Sequence, residues 1–314
     1  MNRQQLKSRK KWTVTAIAAV IILVAWGCTK TVSENTDAES IAREDNATGP
    51  HTENVKLQYK DSILYYRSAP KNYTVKPIRK PKVPGYFVPS PEGLVINASN
   101  GTIEVNNSEA GLHYKVYYMS MTNEPIDSVT IRIAGIDYED GIFEIANTSE
   151  HDTASPVYEG ADSTFPCARG NGQCSFNETD LDGDGDSDID GVNGNKLQVN
   201  KKNGVIDLEE SFNNGVFGSL TPPNGIFKDF TIHYRLDDPS QKALNKITIR
   251  LYHFKSRDQI PAWLIDELKR RKESYDAVDA PATQGNFIQS NLYLLAPKRP
   301  PLIIIVSGLT TTLR

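Results

Sequence analysis

From Leu57 onward, apolar positions come in short runs rich in β-branched and aromatic residues, broken by Pro, Gly and Asn. Alternation with period two places successive side chains on opposite faces of a sheet and predicts strands. The runs predict strands at Ile63–Tyr66, Tyr114–Met119, Val129–Ile133, Gly141–Ile145, Phe230–Leu236, Ile247–Phe254, Gln289–Leu295 and Leu302–Ser307. One stretch has helical character instead. Pro261 suits a first-turn position, and Trp263, Leu264, Leu268 and Tyr275 give a partial apolar face, predicting a helix over 261–275. Residues 28–56 are polar, without apolar periodicity, and read as a flexible tether.

The strand pattern repeats within the chain. Residues 94–108 read LVINASNGTIEVNNS and residues 197–211 read LQVNKKNGVIDLEES, with six of fifteen positions identical, including Asn97/Asn200, Asn100/Asn203, Gly101/Gly204 and Ser108/Ser211. Apolar residues alternate on both sides of Asn-Gly, which predicts a hairpin with a type I′ turn. A second echo follows each copy, Val129–Ile133 (VTIRI) answering Ile247–Leu251 (ITIRL). The body is therefore expected to hold two related β modules, 57–150 and 151–314, the second enlarged by insertions.

The N-terminus reads as an address. Arg3, Lys7, Arg9, Lys10 and Lys11 precede the apolar run Trp12–Trp26. Fifteen residues of helix reach roughly 22 Å, short of the ~30 Å hydrocarbon core, so residues 1–27 predict a signal peptide. The run ends in Ala25-Trp26-Gly27-Cys28, which resembles the lipobox of bacterial lipoproteins. That resemblance implies lipidation at Cys28, membrane attachment through the lipid, and an outer-membrane location. It departs from the usual pattern at Ala25 and Trp26. The competing reading is an uncleaved N-terminal anchor.

Removing residues 1–27 takes five of the 35 basic residues and none of the 39 acidic ones, leaving a net charge of −9. Seven carboxylates fall between Glu178 and Asp190; the remainder is close to neutral as a whole. No basic stripe of the kind nucleic acid requires stands out. In an exported chain, Cys167 and Cys174 predict a disulfide.

Pro91 to Val105, followed by Gly111-Leu-His-Tyr-Lys-Val-Tyr-Tyr, is similar to the immunoglobulin-like repeats of bacterial surface proteins. The resemblance covers about thirty residues. It implies a mainly all-β fold of two tandem immunoglobulin-like β-sandwich modules serving adhesion, spacing or display.

Residues 180–191 read DLDGDGDSDIDG. Calcium takes six to eight oxygen ligands, and carboxylates at alternate positions can converge on one ion where glycine lets the chain turn. The loop 178–191 resembles those of EF-hands, dockerins and thrombospondin type 3 repeats. The resemblance places Asp180, Asp182 and Asp184 at positions 1, 3 and 5, with Gly185 at the turn. Asp186 follows at position 7 and Asp188 at position 9. Gly191 stands where a carboxylate is usual at position 12, and Asp190 is its candidate substitute. The competing reading is a solvated acidic loop without metal.

No nucleophile elbow, His-Glu-x-x-His motif or phosphate loop is present in the sequence. The histidines at 51, 113, 151, 233 and 253 show no ligand spacing. The expectation is a non-catalytic, calcium-binding surface or periplasmic lipoprotein whose ligand is a protein or a glycan. The alternative is an accessory glycan-binding lipoprotein using Tyr65, Tyr66, Tyr114, Tyr117 and Tyr118 as stacking faces. A third reading is a hydrolase with sequence-remote carboxylates.

Overall fold

The computed structural model describes residues 55–145, 153–161, 164–168, 173–278 and 299–308. The signal peptide, Cys28, the tether up to residue 54 and the expected strand Gln289–Leu295 lie outside the described residues. Residues 52–314 form one compact unit, and the described chain is mainly β.

Its strands are β1 (Ile63–Leu64), β2 (Thr74–Val75), β3 (Gly85–Ser90), β4 (Ile103–Glu104), β5 (Leu112–Ser120), β6 (Pro125–Ile133), β7 (Gly135–Tyr138) and β8 (Gly141–Glu144). There follow β9 (Thr153–Ala154), β10 (Pro156–Glu159), β11 (Ser175–Phe176), β12 (Gln198–Val199), β13 (Ile206–Asp207), β14 (Phe227–Arg235), β15 (Asn245–Phe254) and β16 (Leu302–Val306). Two α-helices are described, α1 (Leu208–Asn213) and α2 (Ala262–Val278).

The first half is built on the sheet β1-β6-β5-β3, and the small pair β2-β4 carries the Asn-Gly hairpin. The second half has the sheet β11-β14-β15-β16-β8 and the smaller sheet β12-β13-β9. The two halves match in register. Tyr114 faces Ile131 and Val116 faces Val129 in one; Phe230 faces Ile249 and Ile232 faces Ile247 in the other. Phe87 lies opposite Tyr118 and Phe176 opposite Tyr234, with ring centroids 5.0 and 5.8 Å apart.

The duplication reaches further than the sequence echoes. Val75 pairs with Ile103 in the hairpin, and Ala154 pairs with the equivalent Ile206. Tyr59 donates to Gly101 O and Tyr138 to Gly204 O, both at 2.6 Å. Tyr59 precedes Thr74 by the same interval as Tyr138 precedes Thr153, so β1 and β8 are counterparts. Ile136 and Tyr138 already lie in the second core, whereas Leu112, Ile131 and Ile133 lie in the first.

The hairpins differ from the expected type I′ turn. That turn needs positive φ at both central residues, and here Gly101 and Gly204 are positive (both φ 73°) while Asn100 and Asn203 are not. Asn97 and Asn200 instead close wider loops, accepting from Gly101 N–H (2.8 Å) and Gly204 N–H (2.9 Å) through their carbonyls. Their side chains accept from Ser99 N–H (3.0 Å) and Lys202 N–H (2.9 Å). Phe87 and Phe176 lie beneath these glycines, where an added Cβ would come within 2.7 and 2.5 Å of the ring.

One element breaks the symmetry. In the first half β1 pairs directly with β6, Ile63 opposite Arg132. In the second, β16 stands between the counterparts, parallel to both β15 and β8. A parallel neighbour needs a crossover connection, and α2 lies on the path from β15 to β16. Ile303 and Ile305 enter the core with Ile249 and Leu251; Leu302, Ile304 and Val306 pack with Ile260 and Leu264 beside α2. Burial on both faces accounts for the unbroken apolar run of this strand.

Candidate metal centre

The acidic loop is an insertion in a repeated frame. Phe87 N–H donates to Ala98 O (2.8 Å) and Phe176 N–H to the equivalent Lys201 O (2.9 Å). Eleven residues separate the first pair (87 to 98) and twenty-five the second (176 to 201). The added length carries all the aspartates, while the strand before it and the hairpin after it keep their places.

The loop closes at its base by backbone bonds. Thr179 O accepts from Asp188 N–H (2.8 Å) and Ile189 N–H (3.3 Å), and the hydroxyls of Thr179 and Ser187 lie 3.0 Å apart. Arg235, at the end of β14, donates to Asp180 O (3.2 Å) and pairs with Glu178 (3.4 Å). Glu178 N–H donates to His233 O (3.0 Å), continuing the sheet to the foot of the loop.

Within the loop, Asp180 accepts from Gly183 N–H at Oδ1 (2.6 Å) and from Gly185 N–H at Oδ2 (3.0 Å). Asp188 Oδ2 accepts from Leu181 N–H (2.6 Å) and Asp182 N–H (3.3 Å). Gly183 and Gly185 adopt φ of 85° and 100°, which lets the chain wrap. One carboxylate oxygen from each of Asp180, Asp182 and Asp188 lies within 4.8 Å of the other two. This group could hold a metal ion.

Asp184, Asp186 and Asp190 stand outside that group. Asp184 Oδ1 accepts from Asp186 N–H (2.9 Å), and Asp186 and Asp190 are exposed. Gly191 has a packing reason to lack a side chain, since a Cβ there would overlap the amide of Asn177. Asn177 is itself buried, adopts φ 57°, and lies where the chain enters the loop. A side chain at position 12 therefore requires the Asn177 amide to move. Neither Asn177 nor Arg235 carries a sequence signal, because each acts through a contact remote in the chain.

Cys167 and Cys174 form the expected disulfide. His113 pairs with Glu159. His253 is buried, its nitrogens 3.2 Å from Pro223 O and 3.0 Å from Ser307 Oγ, and burial holds its pKa below the usual value. The tyrosines considered as stacking faces have core or part-buried roles. Tyr66, Tyr114, Tyr117 and Tyr118 are buried, and the Tyr65 hydroxyl accepts from Ala161 N–H (3.1 Å). No protein-family model matches the chain, and no curated protein matches it in sequence.

Proposed function

We propose that the protein is a non-catalytic lipoprotein of the outer membrane, anchored at Cys28, whose paired immunoglobulin-like β modules serve adhesion or display and whose second module is stabilised by calcium. The observation that carries the metal reading is the convergence of Asp180, Asp182 and Asp188 in a loop inserted as a unit into a repeated frame. All three donors are hard oxygens, as calcium requires, and the exposed position leaves room for water to complete six to eight ligands. Magnesium demands stricter geometry and dehydrates reluctantly, so it fits this open loop less well. The ion's role is structural: it offsets the mutual repulsion of the aspartates and the entropy of ordering the loop.

Extracellular calcium modules bind at ~10⁻⁴ to 10⁻³ M, so millimolar calcium adds about 0.4–1.4 kcal/mol. Calorimetric titration should give a binding isotherm in that range, with a Tm that rises on calcium addition. Asp182→Ala together with Asp188→Ala should remove both responses without unfolding the sheets, since both side chains are exposed. No binding at millimolar calcium, or an unchanged response in the double variant, overturns the reading.

A further inference from the structure

The near-neutrality of the chain outside the acidic loop is an average over opposed regions. Residues 56–91 hold eight Lys or Arg and one acidic residue, Asp61. The densest part is Lys76 to Lys82 (KPIRKPK), between β2 and β3, where Lys76, Arg79, Lys80 and Lys82 are all exposed. Among the described residues no ion pair involves these four. Exposed apolar side chains stand among them: Ile78 (57%), Val83 (52%) and Met121 (72%). Lys80, Lys82, Val83, Tyr118 and Met121 line one open hollow of about 460 Å³. Backbone bonds hold the segment in place, with Gln58 N–H donating to Arg79 O (3.0 Å) and Ile78 N–H to Gln58 O (2.8 Å).

We propose that this basic, apolar-tipped patch docks the first half of the body onto an anionic lipid headgroup surface. Lysines beside exposed apolar side chains match a surface whose phosphates are ringed by hydrocarbon, and a purely polar polyanion would leave Ile78, Val83 and Met121 without partners. On the lipoprotein reading, on which this rests, attachment at Cys28 keeps the body near a membrane; the acidic loop of the second half is not required for contact.

The test uses residues 52–314, a compact unit that contains all three hydrophobic cores and lacks Cys28, so its outcome is separate from that of the lipidation reading. Co-sedimentation with phosphatidylcholine vesicles, with and without phosphatidylglycerol, is measured in EDTA to remove calcium bridging. Binding to the phosphatidylglycerol vesicles alone, weakened by salt, is the expected result. Lys80→Glu with Lys82→Glu should weaken it by about thirtyfold or more, at roughly fivefold per cation lost near the surface. Val83→Ser with Met121→Ser should weaken binding while leaving its salt dependence, and both variants should keep the parent Tm. Absence of binding, equal binding to both vesicle types, or unchanged binding by the lysine variant overturns the proposal. So does self-association without vesicles that the lysine variant abolishes, which would make the acidic loop of a second copy the partner.

Discussion

Asp140 accepts from Leu302 N–H at 2.5 Å and faces Arg271 at 3.5 Å, yet burial outweighs both and raises its carboxyl to about 6. A carboxyl raised in the folded state binds its proton more tightly there than in the unfolded chain. Its contribution to stability is therefore whole below the unfolded value near 4 and is lost as pH rises through about 6. Asp140→Asn keeps an acceptor for Leu302 and cannot ionise. Thermal melts of the two proteins should diverge between pH 4 and 6, with the wild type losing up to about 3 kcal/mol relative to the variant. Parallel curves would mean that Arg271 keeps the carboxylate charged throughout. The hairpin clasps allow a paired test at the same scale. Tyr59→Phe and Tyr138→Phe each leave a buried carbonyl without its donor, so each should cost about 1–3 kcal/mol in a denaturant titration. A cost confined to one of them would show that the two clasps differ in energy despite equal geometry.

At the scale of elements, β16 and the acidic loop are two additions to a duplicated frame. β16 is buried from end to end and bonded on both sides, so it behaves as a core strand. Ile304→Ala should cost about 2–5 kcal/mol, because the cavity lies between the sheet and α2 and neither can collapse freely. Ile63→Ala in β1 should cost less, since Ile63 is only half-buried beside β6. Equal losses in urea titrations would contradict the asymmetry. The loop yields a prediction of the opposite kind. Gly191→Asp places a carboxylate at the twelfth position of the calcium pattern, yet the new side chain would overlap Asn177. It should lower Tm without tightening calcium binding, and a gain in affinity would show that loop entry and exit can separate.

For the molecule as a whole, charge and covalent chemistry set the expectations. Metabolic labelling with a fatty-acid probe should mark the wild type and not Cys28→Ser, and equal labelling of both would exclude lipidation at Cys28. The Cys167–Cys174 bridge closes a short loop just before β11, the strand that leads into the acidic insertion. Such a loop contributes roughly 2.5 kcal/mol in the chain-entropy model, so reduction should lower Tm by several degrees. An unchanged Tm would show that the bridge constrains a segment already ordered by its neighbours.

Much of this was legible along the chain because its causes are local. Period-two alternation locates the described strands β5, β6, β14 and β15 to within a few residues, because successive side chains point to opposite faces of a sheet. Pro261 and the apolar positions behind it marked α2, and the shared Asn-Gly motif marked both hairpins. The spacing of Asp180, Asp182 and Asp188 likewise encodes their convergence, since a twelve-residue loop with glycines folds on itself. What only the tertiary structure decided depends on contacts between residues far apart in sequence. The six-strand echo between the halves is hidden because Tyr59, Thr74 and Phe87 share geometry, not neighbouring sequence, with Tyr138, Thr153 and Phe176. The run Leu302–Val306 reads as a strand by itself, but its place between β15 and β8 follows from a crossover that no local pattern records. Gly191 reads as a gap in a metal motif until Asn177, fourteen residues away, is seen to occupy the space its side chain would need.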